Sequence, residues 1–141
     1  MSKQEMSQDV ASELWQKALD LRRSNKKGNI KKAIKLAQRI LDERNDRPPI
    51  STQLKTFVGD CYHLNLEQHD KAMVYYQSAI EGDNDPWASI MLGEIYLRNK
   101  KDYKAAAEIL EKTVARGISS AGQRDIARDR LAEARQKLAG N

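Results

Sequence analysis

Apolar residues recur at helical spacing along most of this chain. Between about Gln8 and Ser24, Ala11, Leu14, Ala18 and Leu21 follow at intervals of three, four and three, which lines one side of a helix; Trp15 and Leu19 widen the stripe. The turn Asn25-Lys26-Lys27-Gly28 follows. Asn29 is the expected N-cap of a second helix, because its side-chain carbonyl can accept from a free N–H of the first turn. That helix runs to about Arg44 with Ile30, Ala33, Ile34, Ala37, Ile40 and Leu41 on its apolar face, and the short turn lets it pack antiparallel on the first. Asn45-Asp46-Arg47-Pro48-Pro49 ends it, since proline has no N–H and disfavours helical geometry in the residue before it.

Ser51 or Thr52 is the expected cap of a third helix carrying Leu54, Phe57, Val58, Cys61 and Tyr62 to about Leu64. After the turn Asn65–His69, a fourth carries Ala72, Met73, Tyr75, Tyr76, Ala79 and Ile80. Asp85-Pro86 is the clearest helix start, an N-cap aspartate followed by proline at the first helical position. The fifth helix bears Ala88, Ile90, Met91, Leu92, Ile95, Tyr96 and Leu97. Asp102 caps a sixth with Tyr103, Ala106, Ala107, Leu110, Thr113 and Val114, and Gly117 closes it. A seventh starts at Ser119 or Ser120, and its apolar stripe of Ala127, Leu131, Ala134 and Leu138 on an otherwise polar helix suits the end of a helical stack.

Part of this pattern is written twice. Gly59 and Tyr62 recur as Gly93 and Tyr96, Ala72 recurs as Ala106, and Tyr76 is matched by Leu110, each 34 residues on. A fixed period of that size marks stacked supersecondary units. The 141 residues are near the usual size of a single domain, so 1–141 is expected to form one.

Composition changes this picture little. The chain is 32% charged with a mean hydropathy of −0.77, but its 40% apolar residues are enough for a core. Its one cysteine, Cys61, has no internal disulfide partner, and no apolar run follows the polar start Met1-Ser2-Lys3-Gln4-Glu5, from which we expect a cytoplasmic protein. No window approaches the ~18 apolar residues of a membrane span. The net charge of +5 is uneven: residues 1–47 carry +5, residues 48–84 carry −3 and residues 85–141 carry +3.

The twofold pattern resembles the tetratricopeptide repeats, whose unit has a small residue and a tyrosine one turn apart on its first helix and alanine, aromatic and alanine on its second. Val58-Gly59-x-x-Tyr62 with Ala72, Tyr76 and Ala79 is similar to one copy, and Leu92-Gly93-x-x-Tyr96 with Ala106 and Leu110 to another. Both have one extra residue between helices, and Thr113 replaces an expected alanine. In the first hairpin Ala18 and Leu21 stand in for the glycine and tyrosine. The ending Glu111–Gly117 is also similar to Sel1-type repeats. The resemblance implies an all-α, right-handed superhelical α-α solenoid of three helix hairpins, at about 8–44, 51–82 and 85–117, plus a C-terminal capping helix at about 120–139.

It also implies that first helices line a concave groove for a peptide or helix of a partner protein. The face turned away from Gly59 and Tyr62 offers Gln53, Thr56, Asp60, His63 and Leu64, and its counterpart offers Trp87, Ile90, Glu94, Leu97 and Arg98. On the first helix Trp15, Leu19, Arg22 and Arg23 correspond. Some relatives clamp a C-terminal carboxylate with lysines, asparagines and an arginine on these helices. Here Thr56, Asp60, Trp87 and Met91 stand there instead, so that ligand is excluded.

A basic cluster, Arg22, Arg23, Lys26, Lys27, Lys31, Lys32 and Lys35, surrounds the first turn and offers a second reading, contact with a polyanion such as nucleic acid. Self-association is a third. Catalysis has little basis: His63 and His69 fit no metal-ligand spacing and Cys61 falls on a stripe expected to be buried. The sequence therefore reads as a non-enzymatic adaptor or scaffold with no cofactor.

Overall fold

A computed structural model describes residues 5–140; Met1–Gln4 and Asn141, which belong to the polar ends read above, lie outside the described residues. The helices are α1 (Gln8–Arg23), α2 (Lys27–Arg44), α3 (Ile50–Asp60), α4 (His69–Asp83), α5 (Pro86–Glu94), α6 (Tyr103–Arg116) and α7 (Ala121–Ala139). No strand occurs among the described residues, and no described helix is long and apolar enough to cross a membrane.

Several ends are fixed by side-chain caps. Asp85 accepts from the N–H of Trp87 at 3.3 Å, Asp102 from that of Ala105 at 3.1 Å and Ser120 from that of Gln123 at 3.3 Å. Two starts differ from the sequence reading. Helix α2 begins at Lys27, ahead of Asn29, and Lys26 gives it no side-chain cap; the Asn29 amide instead donates to Ser24 Oγ at 2.9 Å, back across the turn. Helix α3 begins at Ile50, directly behind Pro49, so Ser51 and Thr52 lie buried inside its first turn instead of capping it. Proline carries no N–H to leave unpaired, so a helix can start beside it without a side-chain cap.

Helices α3 and α5 each run on into a π-helical turn, Cys61–Asn65 and Ile95–Asn99. The carbonyl of Cys61 accepts from the N–H of Leu66 at 3.0 Å and that of Tyr62 from Gln68 at 2.8 Å. Their counterparts are Ile95 with Lys100 at 2.9 Å and Tyr96 with Asp102 at 2.8 Å. Glu67 and Lys101 then take left-handed φ values of 55° and 54°. The extra residue noted in each copy is thus absorbed as a wide turn. Asn25, Asn45 and Asn84 make the other left-handed corners, a conformation asparagine tolerates well.

The chain divides into two compact units, Met1–Tyr75 and Tyr76–Asn141. In the first, α2 packs on both α1 and α3, and Ile30, Ala33, Ile34, Ala37 and Ile40 of α2 meet Ala11 and Ala18 of α1 and Leu54, Phe57 and Val58 of α3. In the second, α6 packs on α5 and α7 around Leu97, Ala106, Ala107, Leu110, Leu131 and Ala134. The class is all-α, and in each unit successive helices pack on one another as an α-α solenoid requires. Leu138 is 45% exposed, so the buried stripe of α7 ends at Ala134.

Gly93 sets the approach of α5 to α6: a Cβ there would lie 2.8 Å from Leu110 Cγ and 2.9 Å from Cδ2. Leu110 is fully buried and has nowhere to swing. Gly93→Ala is therefore expected to lose about 1–2 kcal/mol despite the better helix propensity of alanine, because overpacking outweighs that gain. Gly122→Ala, whose Cβ meets nothing within 4 Å, is expected to lose nothing. Urea denaturation of the two variants checks both signs.

Candidate functional site

In the first unit, α1 and α3 meet through aromatic and cationic side chains. The Trp15 ring sits edge-on to Phe57, with centroids 4.9 Å apart. The Arg22 guanidinium lies 5.8 Å from the same Phe57 ring and donates through Nε to Asn65 Oδ1 at 3.0 Å, while the Asn65 amide donates to Asn25 Oδ1 at 2.9 Å. These bonds fasten the far end of α1 to the turn after α3.

At the opposite end of the same face a cavity of about 170 Å³ opens, lined by Trp15, Ala11, Ile40, Ile50 and Leu54, with Gln8, Ser12 and Gln53 among its polar groups. Arg44 and Asp46 also line it, in a two-point ion pair with contacts of 2.8 and 3.1 Å. Arg44 donates further to the Met6 carbonyl at 2.8 Å. The guanidinium is thereby committed, and the free lining is an aromatic wall, aliphatic side chains and neutral amides. Ile50 is 47% exposed at the mouth.

The residues expected to line a groove divide sharply by burial. Gln53, Leu64 and Arg98 are exposed, and Trp87 is half-buried beside its N-cap Asp85. Thr56, Asp60, His63, Ile90 and Leu97 are buried. For Leu97 the cause is α7, whose Leu131 and Ala134 close over it together with Ala106, Ala107 and Leu110 of α6. Glu94 is engaged by the same helix: Arg130 Nε donates to its Oε1 at 3.0 Å. Arg98 pairs with Glu94 at 3.7 Å and with Glu133 of α7 at 3.6 Å. The capping helix thus lies over part of the face that was read as open.

His63 and His69 meet with Nδ1 atoms 2.9 Å apart, so one ring donates and the other accepts. In the second copy Leu97 and Tyr103 hold the equivalent places, 34 residues on, and both contribute to an apolar cluster. The pair therefore takes a position where the repeat otherwise uses apolar packing. Among the described residues no three His, Cys, Asp or Glu side chains gather in a way that could hold a metal ion. Tyr62, the tyrosine of the first copy, stacks on Tyr75 at 5.8 Å and has the Lys71 ammonium 5.6 Å from its ring.

In the basic cluster Arg22 is engaged as described and Arg23 pairs with Asp20 at 3.3 Å. Lys26, Lys27, Lys31, Lys32 and Lys35 are exposed. Sequence reasoning missed the cavity and its rim, Ser12, Ile50, Arg44 and Asp46. Only the exposed Ile50 between Pro49 and a helix start carried a signal, since α1 and α3 are distant in sequence.

Helix hairpins with a glycine at the closest approach, a tyrosine one turn later and a 34-residue register define a class of helical-repeat protein. Residues 53–86 match the tetratricopeptide repeat family. That span runs from within α3 to the first residue of α5. Comparison with curated proteins finds no match.

Cys61 is fully buried, and burial pushes its thiol from 9.0 up to about 12. The folded state holds this proton more tightly than the unfolded chain, so the contribution is complete below pH 9 and is lost as pH rises toward 12. Cys61 is expected to resist a disulfide reagent in the native protein at pH 8 and to react at once in guanidinium. Urea titrations between pH 8 and pH 11 are expected to show falling stability at the alkaline end, relative to Cys61→Ala.

Proposed function

We propose that this chain is a protein-interaction module that holds one apolar side chain of a peptide or helix in the cavity beside Trp15. Tetratricopeptide repeats in general serve as interaction modules, and the observation that carries the finer reading is the cavity itself. Its volume, about 170 Å³, is of the order that accepts a benzene-sized group, and its wall is an indole already held by Phe57. Aromatic walls of this kind contribute a large share of interface energy. Gln53, Gln8 and Ser12 supply amide and hydroxyl groups for the ligand backbone, with no free charge to select its sign.

Leu64, exposed in the same unit, extends this reading as a contact for the rest of the ligand. Thr56, Asp60, His63, Ile90, Glu94 and Leu97 act from behind, holding the helices that present them. The role is that of an adaptor rather than an enzyme, and the buried Cys61 thiol, with its proton tightly held, supplies no nucleophile at neutral pH.

Selection from a random peptide library tests the assignment. Peptides that bind the wild type are expected to share one large apolar residue, and Gln53→Trp, which fills the cavity mouth from an exposed position, is expected to weaken them at least tenfold with the fold intact. Trp15→Ala is expected to weaken them similarly. Binding that survives both changes would place the ligand elsewhere.

A further inference from the structure

We propose that the outward face of α2, with the turn before it, binds the phosphate backbone of duplex nucleic acid without reading its sequence. The surface is made by Lys26, Lys27, Lys31, Lys32 and Lys35, all exposed and none in an ion pair among the described residues. Lys27, Lys31 and Lys35 follow at intervals of four, while Lys31, Lys32 and Lys35 stand three, four and seven positions beyond Gly28. They therefore share the side of α2 facing away from the buried stripe of Ile30, Ala33, Ile34, Ala37 and Ile40. Gly28 leaves the middle of this face bare, with nothing within 4 Å of a would-be Cβ.

Helix stability does not explain the lysines. The first turn of α2 has no acidic residue and no side-chain cap, while Asp42 and Glu43 lie near its far end. Both placements oppose the helix dipole, which favours acids at the start and bases at the end. Nor does local pairing explain them: Arg23 and Arg39 of the same hairpin have acidic partners, and the five lysines have none. A surface that works against its own helix and remains unpaired fits a ligand that brings the missing negative charge.

The chemistry favours a duplex backbone over other anions. Lysine is a point charge that neutralises phosphates at many angles, while Arg22 and Arg23, whose forked guanidinium groups would give bidentate recognition, are already engaged. The lysine face carries no aromatic platform, which stacked single strands would use. From Lys27 to Lys35 the row spans about 12 Å at the helical rise, the reach of about three or four phosphates of one strand. This surface shares no residue with the Trp15 cavity, so either assignment can fail alone.

Fluorescence anisotropy of the full chain with a labelled 20-base-pair duplex of arbitrary sequence tests the proposal. Log affinity is expected to fall with log salt at a slope of about 3, a loss of roughly 60-fold between 50 and 200 mM KCl. Lys27→Glu/Lys31→Glu/Lys35→Glu is expected to reduce affinity at 50 mM more than tenfold with an unchanged circular-dichroism spectrum. Arg124→Glu/Arg128→Glu/Lys137→Glu on α7 changes net charge equally and is expected to reduce it less than threefold. Absence of binding at 50 mM, equal loss in both triple variants, or a scrambled-sequence duplex binding differently from the first would overturn the assignment. Displacement by poly-glutamate as effective as by unlabelled duplex at equal charge would overturn it in favour of an acidic protein.

Discussion

The wide turn that closes α3 and α5 is the constraint from which each repeated hairpin takes its geometry. In both copies a carbonyl near the helix end accepts from an N–H five residues on, its neighbour accepts from one six residues on, and a left-handed residue reverses the chain. Neither left-handed residue is one that prefers this conformation: Glu67 and Lys101 hold it because the paired backbone groups around them leave little choice. One inserted residue is thereby accommodated within a hydrogen-bonded turn, and the next helix starts in the same register 34 residues later. The tyrosines that contribute carbonyls to this turn, Tyr62 and Tyr96, also pack against the buried clusters of their units.

What the hairpins present to a ligand follows from what they must cover. In the second unit α7 closes the apolar side of α6, and in doing so it buries Leu97 and brings Arg130 and Glu133 to the polar residues of α5. A helix that ends a stack has to shield its neighbour from water, and the residues it shields are then lost as contact surface. In the first unit the edge contact of Trp15 with Phe57 leaves a gap at the start of α1 and α3, lined by aliphatic and amide side chains and by the Arg44–Asp46 pair. There the same packing opens a site.

The candidate site was only partly legible because a concave face is defined by neighbours, not by period. Periodicity separates Gly59 and Tyr62 from the opposite side of α3, and that opposite side was read as open; yet Thr56, Asp60 and His63 are buried. A helix flanked on more than one side buries polar positions that an amphipathic pattern assigns to solvent. Trp15 was named as a groove residue on α1, but its importance depends on Phe57, 42 positions away. Capping was easier: Asp85, Asp102 and Ser120 each act within three residues of themselves, and each was legible. The starts at Asn29 and Ser51 or Thr52 were misplaced, because Pro49 and the crossing bond from Asn29 to Ser24 took precedence over the local cap preference.

The sequence by itself determined the all-α class, the helices and their order, the 34-residue register and the charge on the first turn, since these rest on spacing and on contacts within a few residues. Only the tertiary structure decided which polar positions reach water, that α7 takes up Glu94 and Leu97, and that a cavity opens beside Trp15. Burial is a property of what lies across from a residue. The elements that lie across come from stretches of chain tens of residues apart, at distances fixed by single contacts such as Gly93 against Leu110, and no periodicity along the chain records them.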